Sequence, residues 1–201
     1  MNKLKTVIKY FIICLTAIVF YACPPKCEPQ LIMISPIPDS ILNIVPYANE
    51  DVMSLKHSGG AIINFSCVRL KRNGFMECFR SCCTTIEYEI DETLLKPDYP
   101  LPDISITLSR KGEEYVDMYL GFSGSWFSFW LYDNDVFTLP DFEMDGTVYH
   151  NVWALKAQKN DSYTNKNELF ADSLYYSNEF GILKIKMSNG ETFNHHKATA
   201  N

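Results

Sequence analysis

The chain has 201 residues, of which 47% are hydrophobic and 14% aromatic. That is long and apolar enough for one domain that buries about 70% of its unfolded surface. Its formal net charge of −6 opposes phosphate backbones, and with no basic stripe to neutralise them nucleic-acid binding is excluded.

Lys3, Lys5 and Lys9 precede a twelve-residue apolar run from Tyr10 to Tyr21, which fits the roughly 7–15 residues of a secretory leader's hydrophobic region. The run is too short to span a bilayer, which takes about 20 apolar residues, and Pro24 and Pro25 deny a helix its next donors. Residues 1–22 are therefore expected to be a signal peptide that is removed. Its loss takes three lysines and no acid, so the net charge goes from −6 to −9. At the seam, Phe20-Tyr21-Ala22-Cys23 resembles a bacterial lipobox, in which small residues precede a cysteine that becomes the acylated N-terminus. The resemblance implies a lipidated Cys23 bearing palmitate-like chains. Each buried methylene contributes ~0.8 kcal/mol, so one chain holds marginally and two or three hold firmly.

From Cys23 to Ser40 five prolines forbid regular helix and favour extended backbone. They predict a tether over residues 23–40, ahead of a single domain over 41–194 and a frayed tail over 195–201. With Cys14 in the leader and Cys23 acylated, Cys27, Cys67, Cys78, Cys82 and Cys83 remain. In an exported chain Cys67, Cys78, Cys82 and Cys83 are disulfide candidates that would staple a hairpin. The neighbours Cys82 and Cys83 point to opposite faces of a strand and so take different partners. The spacing C-x10-C-x3-C-C lacks the paired C-x2-C knuckles of a zinc site.

Beyond the tether, turn signals recur at Ser58-Gly59-Gly60, Asn73-Gly74, Lys111-Gly112, Asp133-Asn134, Asp145-Gly146 and Asn189-Gly190. Strand-like runs lie between them: 51–56, 61–70, 84–90, 103–108, 114–122, 126–132, 148–157, 173–177 and 181–187. β-branched and aromatic residues dominate these runs, many alternate with polar ones, and no long helical stretch competes. The expected fold is all-β, an antiparallel meander forming a sandwich or barrel-like sheet, with 158–167 a polar loop.

Pro46-Tyr47, Gly59-Gly60, Val148-Tyr149-His150-Asn151-Val152 and the run Leu174-Tyr175-Tyr176-Ser177-Asn178-Glu179-Phe180-Gly181-Ile182 with Asn189-Gly190 make up, in that order, a pattern similar to Bacteroidetes-type envelope lipoproteins. That resemblance implies a β-rich lipoprotein of the outer membrane and brings no activity with it. In that group Asp39-Ser40-Ile41 and Asp172-Ser173-Leu174 match a short glycosylation pattern, which makes Ser40 and Ser173 candidate sites beside their plainer reading as turn and strand-entry hydroxyls. The acidic residues that direct such proteins to the surface are replaced by Pro24-Pro25-Lys26, which leaves the membrane face open.

Catalytic signatures are weak. Gly121-Phe122-Ser123-Gly124-Ser125 nearly spells a nucleophile elbow, but Ser125 stands in place of a glycine and leads into a strand, so the stretch reads as a bend. Asp141, Glu143 and Asp145 mimic the first half of a calcium loop, whose twelfth position holds Val152 where a glutamate belongs. They are weak metal candidates, joined by Asp133 and Asp135 nearby. His57, His150, His195 and His196 show no ligand spacing, and no cofactor is expected. The most distinctive run is 125–132, where Trp126, Trp130 and Tyr132 face one way and Phe127, Phe129 and Leu131 the other. It reads as a central core strand, or as a platform extended by Trp153 on which sugars or partner side chains stack.

These readings predict a membrane-anchored envelope lipoprotein with a non-catalytic binding or structural role toward a glycan, peptide or protein partner. The alternatives are an envelope enzyme or metal-dependent protein using the acidic 133–145 loop, and a thiol redox or metal role for the cysteine cluster.

Overall fold

The computed structural model describes residues 30–77, 84–131, 138–158 and 169–197. The alternating runs become strands β1 (Gln30–Met33), β2 (Val52–His57), β3 (Ile62–Glu77), β4 (Thr84–Pro97), β5 (Ile104–Ser109) and β6 (Asp117–Phe122). After them come β7 (Ser125–Trp130), β8 (Thr138–Met144), β9 (Thr147–Lys156), β10 (Ala171–Ser177), β11 (Gly181–Met187) and β12 (Thr192–His195). The helix among the described residues is the single turn α1 (Asp39–Leu42). Eleven strands pair antiparallel in the order β7-β6-β5-β4-β3-β2-β12-β11-β10-β9-β8, and β1 adds to β4 in parallel.

This is one curled, barrel-like sheet and not a two-sheet sandwich. The curl brings the free edge of β7 to the far side of the sheet. There the Gln158 N–H donates to the Trp126 carbonyl at 2.9 Å, and the hydroxyls of Ser125 and Ser123 donate to the carbonyls of Ala171 and Leu169 at 2.7 and 3.0 Å. Inward-facing side chains of β2–β7 and β10–β12 fill the concave side with one core, from Leu55, Phe65 and Leu95 to Leu120, Phe127 and Tyr176. Met144, Tyr149, Val152 and Leu183 form a smaller second cluster around β8, β9 and β11.

Ser58-Gly59-Gly60, Asp145-Gly146 and Asn189-Gly190 are turns as their signals predict, and the bend at Ser123-Gly124 is one too. Asp145 and Gly146 (φ 51° and 74°) close β8 onto β9, and Ser123 and Gly124 (φ 48° and 72°) close β6 onto β7, which makes the elbow-like stretch a hairpin turn.

Other expectations need correction. Asn73-Gly74 is not a turn, because β3 runs through it and pairs these residues with Glu89 and Tyr88. The tether is not free to Ser40. Gln30–Met33 is a strand, and Ile37, Ile41, Leu42, Val45 and Tyr47 pack into the main core. The tail does not fray at His195, which pairs with Leu55, and the His196 N–H donates to the Ser54 carbonyl at 2.9 Å. Finally, β7 is an end strand of the sheet and not a central one.

Buried polar ties fix the 37–47 segment inside the curl. The Arg69 guanidinium donates to Asp91 Oδ1 at 2.8 Å and to the carbonyls of Leu42, Val45 and Tyr47 at 2.9, 3.0 and 3.1 Å. The Tyr176 hydroxyl donates to the Ile44 carbonyl at 2.9 Å, and Tyr47 accepts from the Ile182 N–H at 2.7 Å. Gly181 (φ +72°) lies so close to the Tyr47 hydroxyl that a Cβ there would displace it. Burial raises the pKa of both phenols, so they stay neutral donors.

Candidate functional site

The connections at one end of the curled sheet surround a pocket of about 600 Å³, within the roughly 300–1,000 Å³ typical of small-ligand sites. The β2–β3 hairpin contributes His57, Ala61, Ile62 and Ile63, and the β4–β5 connection contributes Asp98, Tyr99, Leu101 and Pro102. Phe122 and Ser123 come from the β6–β7 turn, Leu169 precedes β10, and Met187, Glu191 and Phe193 flank the β11–β12 turn. The floor is the outer layer of the main core, where Phe193 meets Phe122 edge to face at 6.0 Å and His57 at 4.9 Å.

Polar bonds tie parts of the rim together. Asp98 accepts from the Asn64 N–H at 3.1 Å and from its side-chain amide at 2.9 Å, and the Asp98 N–H donates to the Asn64 carbonyl. His57 Nδ1 accepts from the Gly59 N–H at 3.1 Å, so the neutral ring carries its proton on Nε2. That nitrogen faces Glu191 Oε2 at 3.8 Å. Among the described residues the lining holds two carboxylates and no lysine or arginine.

A serine, a histidine and an acid thus share one pocket, but they do not form a catalytic set. Neither ring nitrogen of His57 is bonded to Ser123, and the Ser123 hydroxyl is given to the Leu169 carbonyl. A nucleophile needs a base within hydrogen-bond reach. What the pocket offers is apolar surface with negative charge at its mouth.

The aromatic strand divides as its alternation requires. Phe127 faces the core at 1% exposure, whereas Trp130 is 53% exposed on the convex face and lies 5.4 Å from Tyr115. Trp126 shares that face and is half-buried, and Tyr132 lies outside the described residues. Trp153 does not extend this platform. It packs edge-on against Phe129 at 4.8 Å and stacks on Tyr176 at 5.7 Å, on the core side.

Among the described residues no three His, Cys, Asp or Glu side chains come close enough to hold a metal ion. Asp141 is bonded to His150 at 2.7 Å, Glu143 stands opposite Val148, and Asp145 is in the turn. Asp133 and Asp135 lie outside the described residues, as do Cys23, Cys27, Cys78, Cys82 and Cys83. Cys67 is a free thiol buried in the main core. Ser40 is exposed in α1, and Ser173 is half-buried in β10, between β9 and β11.

Fold and pocket together define an all-β chain with an apolar, acid-rimmed mouth. Compared with protein-family models, curated proteins and solved structures, the chain has no match.

Proposed function

We propose that this chain is a non-catalytic binding protein of a bacterial envelope, held to the outer membrane through lipidated Cys23. Its ligand is a small molecule or peptide side chain with an apolar body and a positively charged end. The observation that carries this reading is the pocket of about 600 Å³, floored by Phe122, Phe193 and Ile63 and bordered by Asp98 and Glu191, with no lysine or arginine among the described residues that line it. The apolar body gains about 25 cal/mol per Å² removed from water, and the carboxylates select the sign of the charged end. A glycan-stacking reading comes second, supported by the exposed Trp130 beside Tyr115.

Thermal-shift and calorimetric titration with aryl-alkyl amines, the matching carboxylic acids and neutral oligosaccharides separates the two. The amines are expected to stabilise the chain, the acids to leave it unchanged, and Glu191→Gln to weaken amine binding about fivefold or more. A response to the oligosaccharides alone, lost in Trp130→Ala, would replace the pocket with the aromatic face. A chain indifferent to all three classes would sink both readings.

A further inference from the structure

β3 and β4 outrun the sheet. Past Ile90 the place of β5 beside β4 is taken by β1, so Gln30–Met33, 70–77 and 84–90 form a three-stranded arm. The in-register pairs put Leu31, Met33 and Phe75 on one face of its tip and Ile32, Ile86 and Met76 on the other. Met33 and Phe75 are 71% and 63% exposed. Apolar side chains thus stand on both faces; Glu77 and Glu87 share the face of Leu31 and Met33, and Lys71 and Arg72 lie further back, paired with Glu89 and Glu92.

We propose that this tip seats in the headgroup and acyl boundary of the bilayer, as a second membrane contact beside the acyl anchor. The inference rests on the reading of Cys23 as lipidated. Seven residue steps lead from Cys23 to Gln30, a reach of at most ~25 Å. Gln30 pairs with Thr84, the outermost described residue of β4, so this part of the arm is held close to any anchored Cys23. A flat partner covers one face of a sheet, whereas a bilayer surrounds both. Apolar elements at this boundary sink about 5–10 Å, which the four residues of β1 supply at ~3.3 Å each. Lys71 and Arg72 then stand at headgroup level, where long basic side chains are favoured.

The test uses the full acylated chain in phosphatidylethanolamine/phosphatidylglycerol vesicles, some made with brominated acyl chains. Phe75→Trp at the tip and Leu169→Trp at the pocket mouth are compared with the unsubstituted chain, whose own three tryptophans set the baseline. The added emission of Phe75→Trp is expected to be blue-shifted and quenched at least about threefold more than that of Leu169→Trp. Equal quenching in a chain that still floats with the vesicles would overturn the arm contact and leave the anchor standing. A blue shift without quenching would mean that a second copy or another protein covers the tip, which also overturns it. A chain that does not float would remove the anchor and the arm contact together.

Discussion

Arg69 is the residue on which the inner segment hangs. Its alternation with Phe65 and Cys67 along β3 already points it inward, although a lone arginine in a strand reads first as a surface residue. Inside, one guanidinium gives hydrogen bonds to three carbonyls and a carboxylate that is 1% exposed. Removing one partner of such a buried pair costs about 3–5 kcal/mol, because the remaining charge is stranded, whereas an apolar replacement of both costs less. Arg69→Met is therefore expected to lose stability in that range in urea unfolding, and Arg69→Met with Asp91→Leu to recover part of it. Equal losses would show that the carbonyl contacts, and not the ion pair, hold the segment. His195 adds a pH dependence. Burial above all, then the charges of Lys197 and His196, lower its pKa from the ordinary 6.5. The unfolded chain thus takes up a proton that the folded chain refuses, and stability must fall as pH drops below 6.5 toward the lowered folded value. Between pH 7 and about 5 the melting temperature is expected to decline, and His195→Gln to flatten that decline; an unchanged slope would assign it to other groups.

At the scale of elements, local pattern and tertiary context divide the credit. The core runs of β2, β5, β6, β9 and β11 were legible because their alternation is set by burial on one face. Asn73-Gly74 misled, since the same dipeptide that makes a hairpin turn also serves where a neighbour's ring lies over a strand. Here a Cβ on Gly74 would stand 2.6 Å from the Tyr88 ring. β8 escaped notice because Pro140 and its acids break the alternation, yet both suit a strand at the edge of the sheet. β1 lay hidden among prolines, and its parallel partner is more than fifty residues away, a distance that no local signal spans. Trp153 was placed with the other tryptophans by composition, although the face a side chain takes depends on strand pairing.

At the scale of the molecule, the pocket was illegible for a related reason. It is assembled from five connections spread from His57 to Phe193, so no motif encloses it and only the curl brings its parts together. The same curl sets the two ends of the fold apart. Fifteen residue steps from Ile62 at the mouth to Glu77 on the arm span up to ~50 Å along β3, so an arm lying in the membrane would hold the mouth well clear of it.

Whether so open a sheet acts as one cooperative body is answerable through Cys67. Its thiol is 3% exposed, and burial, then the nearby Asp51 charge, raises its pKa. The reactive thiolate is therefore both scarce and enclosed. If the curl opens only as a whole, Cys67 will alkylate roughly 10⁴-fold or more slowly than in the unfolded chain, and faster with urea along the equilibrium unfolding slope. Mass spectrometry of the Cys67 peptide, quenched over time at low urea, measures this directly. A rate indifferent to low urea would mean that β3 and β4 part locally while the rest stays folded. A peptide left unmodified even in full denaturant without reductant would mean that Cys67 is bridged, and the core would then hold a disulfide in place of a thiol.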